Sequence, residues 1–228
     1  MAKRSKTWLS PKKQAELEAK QRKKKRIKTA CIFALSVVAA VCVALIIWAI
    51  VMSARPYYAE IEIEGYGTVT VWLRDDCAPD TVEYFVELAE SGYYDGTLIY
   101  RVLKDSMIMG GYGKPDAEPI KGEFSKNGYD NTLSHVRGTI SMSRKVANKD
   151  KNEVAADFYN TATGKFFIMQ RDGIDEYDGY YAAFGTVIDG MDIIDRICEQ
   201  IATDEGGNLT EGEEPVIKSV TIKRSYNK

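Results

Sequence analysis

The stretch from Thr29 to Ala54 contains no charged residue, and it constrains this chain more than any other feature of the sequence. An α-helix of this length, at about 1.5 Å per residue, would measure roughly 39 Å, whereas the hydrocarbon core of a bilayer is about 30 Å thick. A cleaved secretory signal has a shorter apolar region of about 7 to 15 residues, although Met52-Ser53-Ala54 could serve as a cleavage site. We therefore expect one transmembrane helix over residues 29–54.

Charge is distributed unevenly on the two sides of this stretch. Residues 1–28 carry twelve Lys and Arg against two acids, whereas acids outnumber Lys and Arg in the rest of the chain. Because Lys and Arg next to a span are retained in the cytoplasm, we expect a basic cytoplasmic tail (1–28) and an extracytoplasmic domain (55–228) of a single-pass cell-membrane protein. Topology and contact with anionic lipid explain a basic tail in this position, so we expect no nucleic-acid partner.

Beyond residue 55 the sequence changes to the period-two alternation of β-strands. In YAEIEIE (58–64), Ile61 and Ile63 alternate with acids, and TVTVWL (68–73) repeats the pattern after the turn GYG (65–67). The predicted strands are 58–64, 68–73, 97–102, 106–110, 138–143, 165–169, 182–188 and 215–224.

Two segments of this domain are predicted to be helices. In APDTVEYFVELAESG (78–92), apolar residues recur at i, i+3, i+4 and i+7 from Val82, and Gly92 is a typical C-terminal stop. MDIIDRICEQI (191–201) is the second segment. Many short strands, turn glycines and only two helices are typical of a closed antiparallel barrel or a sandwich around one core.

The sequence offers little conventional catalytic chemistry. His135 is the only histidine, so we expect neither a Ser-His-Asp nor a Cys-His site, no zinc site, and a structural role for His135. DGIDEYDG (172–179) places Ile174 where a calcium loop needs an oxygen ligand. We predict no metal and no cofactor, and we expect Cys77 and Cys198 to remain unpaired.

One reaction needs no nucleophile, metal or general base, and that reaction is rotation about an X-Pro peptide bond. Its barrier of about 18 to 20 kcal/mol comes from amide resonance, so a catalyst has only to bind the twisted amide better than either planar form. An apolar pocket for the proline ring and a hydrogen-bond donor to the prolyl nitrogen would suffice. Arg101, within the apolar run LIYRVLKDSMIMGGYG (98–113), is a suitable donor because its guanidinium is planar and permanently charged.

Four blocks of the sequence resemble the cyclophilin family of peptidyl-prolyl isomerases, in the order and with the spacing that the family uses. The blocks are APDTVEYFVELAESGYYDGTLIYRVLKDSMIMGG, HVRGTISMS, NTATGKFFIMQ and DGYYAAFGTVIDGMDII. The resemblance extends from about Tyr58 to the C-terminus. It implies a closed eight-stranded antiparallel β-barrel, capped by two helices, with a substrate groove on its outer surface.

The resemblance also implies roles for individual residues. Arg101 matches the catalytic arginine, and Met107 and Phe167 match residues of the proline pocket. The backbone of Ser143 and Arg144 matches the positions that hydrogen-bond the substrate chain. Because Phe166 and Phe167 are adjacent, they face opposite sides of a strand, and we expect Phe167 to face the groove.

Several positions depart from the family pattern. Ser106 stands in place of an aromatic wall residue, Met109 and Lys165 in place of glutamines, and Tyr181 in place of a histidine; Tyr177 could substitute in part for a missing Trp-Leu pair. We still count Met109 and Tyr181 among the substrate-binding residues. Because Met109 cannot hydrogen-bond as an amide does, we expect Arg101 to be less well oriented, and a misplacement of about 1 Å can cost on the order of 100-fold in rate.

We therefore predict a monomeric, membrane-anchored prolyl isomerase outside the cytoplasm, assisting the folding of exported or surface proteins through their proline-containing segments. One alternative is a catalytically weak cyclophilin-like domain that binds such segments as a chaperone or adaptor. Another is a scaffold whose acidic face makes protein contacts.

Overall fold

The structure, a computed structural model, describes residues 11–53, 56–145 and 156–226. The chain divides into two compact units, Met1–Arg55 and Pro56–Lys228, and each is described by itself.

The described part of the first unit is one helix, α1 (Pro11–Ser53). Among the described residues it is the one helix long and apolar enough to cross a membrane, within Lys12–Trp48, by length and composition alone. A signal sequence near an N-terminus meets the same criterion. The helix begins well before the apolar stretch because the preceding Lys-, Gln- and Glu-rich residues are also good helix formers. Its large apolar side chains, such as Phe33 and Leu35, are exposed.

In the described part of Pro56–Lys228, nine strands form one antiparallel sheet. The strands are β1 (Tyr57–Ile63), β2 (Gly67–Leu73), β3 (Thr97–Leu98), β4 (Arg101–Leu103), β5 (Met107–Gly110), β6 (Thr139–Met142), β7 (Phe166–Met169), β8 (Ala183–Asp189) and β9 (Val216–Lys223). Their order in the sheet is β3-β9-β1-β2-β8-β6-β7-β5-β4.

The two edge strands of this order, β3 and β4, are consecutive pieces of one extended segment. Between them, the Ile99 N–H donates to the Pro215 carbonyl over 2.8 Å, and the Tyr100 N–H donates to the Met109 carbonyl over 3.0 Å. The segment therefore pairs with β9 at its start and with β5 at its end, and the sheet closes on itself. With β3 and β4 counted as one strand, this is the predicted closed eight-stranded antiparallel barrel.

The two predicted helices are present as α2 (Pro79–Glu90) and α4 (Met191–Gln200), and a one-turn helix, α3 (Ile174–Tyr177), was not predicted. On α2 the stripe that begins at Val82 is buried, and Phe85 packs against the rings of Phe166 and Phe184 in the barrel core.

Helix α2 begins at Pro79, and Ala78 before it has no side-chain cap. The carboxylate of Glu123, from the loop between β5 and β6, replaces that cap. Its Oε2 accepts hydrogen bonds from the Thr81 backbone N–H at 2.7 Å and from the Thr81 hydroxyl at 2.6 Å. Glu123 is only 2 % exposed. A buried acid on a distant loop therefore accepts the hydrogen bond of a backbone N–H that the first turn of the helix would otherwise leave unpaired. The cysteines Cys77 and Cys198 are buried and free.

Candidate active site

Four neighbouring strands bring residues of the candidate site into one row. Arg101 on β4 lies opposite Met109 on β5, Met109 lies opposite Phe167 on β7, and Phe167 lies opposite Ser141 on β6. Because directly opposed residues of paired strands point to the same face, the row places the guanidinium of Arg101 and the ring of Phe167 on the same side of the sheet.

The adjacent rings of Phe166 and Phe167 lie in different clusters. Phe166 is part of the barrel core, whereas Phe167 packs with Met107 and Met169 in a second apolar cluster. The alternation of side chains along β7 produces this separation, and it places Phe167 on the groove side of the sheet, as expected.

A small pocket of about 160 Å³ lies over this second cluster. All seven residues predicted from the sequence to be catalytic or substrate-binding line it: Arg101, Met107, Met109, Ser143, Arg144, Phe167 and Tyr181. Leu103 and Tyr177 line it as well. Of these two, the sequence analysis indicated only Tyr177, as a partial substitute for the Trp-Leu pair of the family pattern.

Three aromatic rings line the pocket, with Phe167 as its floor and Tyr177 and Tyr181 in its wall. Tyr177 and Tyr181 lie 5.6 Å and 5.4 Å from Phe167 by ring centroids, and 5.6 Å from each other. Ser106, the position where the family pattern has an aromatic residue, does not line the pocket. Burial raises the pKa of both tyrosines, so their hydroxyls stay neutral and the wall adds no negative charge.

Arg101 is half-buried at the edge of the pocket. Its Nε donates a hydrogen bond to the backbone carbonyl of Gly206 over 2.7 Å. Among the described residues no carboxylate lies within 4.0 Å of its guanidinium nitrogens. The guanidinium therefore forms no ion pair with the described residues and lies beside an apolar cavity, which is the arrangement that a donor to a prolyl nitrogen requires.

Arg144 forms a second part of the wall and is only 8 % exposed. Its guanidinium carbon lies 4.4 Å from the ring centroid of Tyr181, and its Nε donates to the Tyr180 carbonyl over 2.8 Å. Burial lowers its pKa. The sequence analysis predicted that the Arg144 backbone binds the substrate chain, and the Arg144 side chain also forms part of the pocket wall.

Ser143 and Lys165 meet across the strands next to the pocket. The Ser143 N–H donates to the Lys165 carbonyl over 2.8 Å, so this backbone donor is already in use. The Lys165 ammonium lies 2.6 Å from Asp116 Oδ1, and its side chain does not line the pocket.

His135 lies behind the pocket, in a hydrogen-bonded chain that the sequence analysis did not anticipate. Its Nδ1 is 2.6 Å from Asp178 Oδ1, and its Nε2 is 3.0 Å from the Ser141 hydroxyl. The sequence analysis expected no Ser-His-Asp site, yet these three side chains lie in one hydrogen-bonded series, because β6 folds back onto the preceding loop. Ser141 is fully buried, so no substrate reaches it, and the hydrogen-bonded series of Asp178, His135 and Ser141 has a structural role.

The ring of His135 stacks on Phe167, with centroids 5.9 Å apart and an interplanar angle of 18°. Burial lowers the pKa of His135, so the imidazole behind the pocket is neutral. The histidine thus fixes the rear face of the ring that forms the pocket floor.

Gly206 is a further site residue that sequence reasoning missed. Its signal is the run Asp204-Glu205-Gly206-Gly207-Asn208, which has the composition of a tight turn. Only the fold shows that this turn lies against Arg101.

Comparison with known proteins agrees with this geometry. The family model described as cyclophilin type peptidyl-prolyl cis-trans isomerase/CLD matches residues 58–227. Peptidyl-prolyl cis-trans isomerase B of Escherichia coli is 33 % identical over 166 residues, which cover 69 % of this chain and 95 % of that protein. Peptidyl-prolyl cis-trans isomerase A of Dickeya dadantii is 36 % identical over 151 residues, covering 62 % of this chain and 70 % of that protein.

A solved structure shows the same fold. The crystal structure of a cyclophilin-type peptidyl-prolyl cis-trans isomerase of Cryptosporidium parvum superposes with a TM-score of 0.60 at 25 % identity, covering 74 % of this chain and 98 % of that one. The same enzyme crystallised in the presence of the dipeptide Ala-Pro superposes with a TM-score of 0.59 at 25 % identity, covering 73 % of this chain and 98 % of that one. From its barrel, its pocket and these matches, we conclude that the chain belongs to the cyclophilin-type peptidyl-prolyl cis-trans isomerase family.

Proposed function

We propose that residues 56–228 catalyse cis-trans isomerisation of X-Pro bonds, with Arg101 as the catalytic residue. The observation that carries this proposal is the position of the Arg101 guanidinium at the edge of an apolar pocket, held by one backbone carbonyl and without an ion pair to the described residues. The names of the relatives support it, as does the Ala-Pro dipeptide present with the Cryptosporidium enzyme.

In this mechanism the proline ring enters the pocket formed by Met107, Met109 and Phe167, with Tyr181 closing one side. The residue before the proline rotates while the ring stays fixed. As the amide twists, resonance is lost and the prolyl nitrogen becomes a hydrogen-bond acceptor, and the guanidinium of Arg101 donates to it. Because the planar amide nitrogen accepts poorly, this bond stabilises the transition state more than either ground state.

We further propose that helix α1 anchors this domain in the cell membrane, with residues 1–28 in the cytoplasm and the domain outside. The uncharged stretch and the basic block before it support this topology. The clients would then be exported or surface proteins with proline-containing segments. Protease added to intact cells would digest the domain and spare an N-terminal epitope tag, whereas a cytoplasmic domain would be protected until the cells are broken.

The test of the isomerase is exchange NMR on a short X-Pro peptide, with the full-length chain in lipid nanodiscs. The wild type should accelerate interconversion, and Arg101→Ala should lower kcat/KM by roughly 100- to 1000-fold, the cost of removing one such donor. Arg196→Ala is the matched control, because Arg196 is exposed on α4 and its guanidinium donates to the Tyr66 carbonyl, away from the pocket.

A wild-type chain that leaves the exchange rate unchanged would overturn the proposal. Saturable binding of the peptide in that case would favour the adaptor alternative, which the apolar Met109 opposite Arg101 also favours. A wild-type chain that neither catalyses the exchange nor binds the peptide would favour the scaffold alternative.

A further inference from the structure

The turn formed by residues 204–208, named here the Asp204 turn, lies directly against strand β4 and the candidate catalytic arginine. Arg101 Nε donates to the Gly206 carbonyl over 2.7 Å. One residue further along both segments, the Val102 N–H donates to the Gly207 carbonyl over 2.8 Å. Two adjacent carbonyls of the turn are therefore bonded to two adjacent residues of the strand, one through a side chain and one through the backbone.

The carboxylate of Asp204 holds this turn together. Its Oδ1 accepts from the backbone N–H groups of Gly206 and Asn208, both at 2.8 Å, and its Oδ2 accepts from the Asn208 side-chain amide at 2.9 Å. All three bonds favour the ionised carboxyl. The side chain thus restrains the peptide units 205–206 and 207–208. The unit between them, which carries the Gly206 carbonyl, is held at its other end by the Gly207 N–H, which donates to the Asp204 backbone carbonyl over 3.0 Å.

The two glycines permit tight packing, Gly206 within the turn and Gly207 against β4. A Cβ on Gly206 would lie 3.0 Å from the Asn208 side-chain nitrogen and 3.2 Å from Asp204 Oδ1. Gly207 has a φ of +77°, and a Cβ there would lie 2.7 Å from the Val102 carbonyl oxygen. At Gly207 the turn is therefore packed against β4 at a distance that a side chain would not permit.

Across the sheet, the residue directly opposite Arg101 cannot orient its guanidinium in the same way. That residue is Met109, and a thioether is only a weak acceptor. Its sulfur instead lies 3.9 Å from the Tyr100 hydroxyl. Within the described part of the chain, the Gly206 carbonyl is the acceptor that fixes Arg101.

We propose that Asp204 is a positioning residue for the isomerase: by fixing the Gly206 carbonyl it orients Arg101 towards the prolyl nitrogen in the pocket. This inference rests on the proposed function. Met109 was expected to leave Arg101 poorly oriented, because it offers only a weak hydrogen-bond acceptor on the neighbouring strand. In this proposal the Asp204 turn provides an acceptor instead, the Gly206 carbonyl.

The test compares three variants of the full-length chain in lipid nanodiscs. Asp204→Ala removes all three bonds, and we expect kcat to fall about 10-fold with KM within about 2-fold of wild type, a partial misplacement on the scale where about 1 Å costs 100-fold. Asp204→Asn removes the charge but keeps an oxygen for the two backbone donors, so it should retain most of kcat. Glu205→Ala is the matched control, because it removes the same charge from the same turn and Glu205 makes no hydrogen bond to the described residues.

A second measurement follows Arg101 without reference to activity. The NMR signal of the Arg101 Nε–H, assigned by its loss in Arg101→Lys, should shift and exchange faster with water in Asp204→Ala, and should stay unchanged in Glu205→Ala. A thermal melt shows whether each variant is folded.

Three outcomes would overturn the inference. The first is an active, folded Asp204→Ala with an unchanged Arg101 signal, which leaves the proposed function intact. The second is Asp204→Asn as impaired as Asp204→Ala, which would make charge and not geometry the cause. The third is a wild-type chain without isomerase activity, which would contradict the proposed function itself. If the Arg101 signal still changed in Asp204→Ala, the contact between the turn and Arg101 would be purely structural.

Discussion

The ring of Tyr181 meets the ring of Phe167 edge to face, with centroids 5.4 Å apart and planes 88° apart. The guanidinium of Arg144 lies against the ring of Tyr181, with 4.4 Å between the guanidinium carbon and the centroid. Edge-to-face packing on an aromatic ring and a cation on its face are both favourable for the ring quadrupole. Tyr181 therefore links the floor of the pocket to the buried cation in its wall.

Replacing Tyr181 by leucine should weaken binding of proline peptides. Tyr181 lines the pocket, and the shorter leucine buries less apolar surface against the proline ring. A loss equivalent to about one or two CH₂ groups, at about 0.8 kcal/mol each, corresponds to a Kd about 4- to 15-fold higher by calorimetry. Tyr180→Leu is the matched control, because the Tyr180 side chain does not line the pocket and its backbone carbonyl still accepts from Arg144. Equal affinities for wild type and Tyr181→Leu would show that the ring is not part of the binding surface.

Replacing Glu123 by alanine should destabilise the domain without changing its chemistry. The substitution leaves the buried N–H and hydroxyl of Thr81 without their acceptor, and a hydrogen bond to a charged group contributes about 1.5 to 3 kcal/mol. We expect the free energy of unfolding in urea to fall by about that amount, with kcat of the folded protein unchanged. Glu118→Ala, an exposed acid of the same loop, should unfold as the wild type does, and an equal loss in both variants would argue against the cap.

The stability of the domain should fall as the pH is lowered from about 7 to 5. Burial lowers the pKa of His135 below its ordinary value of 6.5, and this outweighs the opposite effect of Asp178. The unfolded chain therefore takes up a proton in this range before the native protein does, so that acid favours unfolding, by at most about 1.4 kcal/mol per pH unit for one proton.

Urea unfolding at pH 7.5, 6.0 and 5.0 tests this dependence, with His135→Gln as the non-titrating variant. The slope between pH 7 and 5 should be smaller in the variant. Asp116 and Asp195 do not interfere, because Lys165 and Arg137 lower the pKa of their carboxyls below 3.8, and the stability they contribute is lost only in stronger acid. Parallel curves for the two proteins would assign the acid sensitivity to another group.

Sequence patterns alone predicted the local elements and the chemistry carried by one strand. Alternation predicted β8 at 182–188, and it is found at Ala183–Asp189; the apolar stripe from Val82 predicted α2 and its buried face. These signals are short-range, because strand and helix periodicity is set by backbone geometry over a few residues. Arg101 was identified because a charge within an apolar run is conspicuous and the blocks around it resemble a known family.

The partners of those residues follow from the folded barrel and could not be read from the sequence. Arg101 is bonded to a carbonyl 105 residues further along the chain, Thr81 to a carboxylate 42 residues away, and His135 to one 43 residues away. No local pattern encodes such pairs, because they form only when barrel closure brings separate loops onto the same strand or helix end. The orientation of the catalytic candidate is therefore a property of the closed barrel, whereas its identity is a property of the sequence.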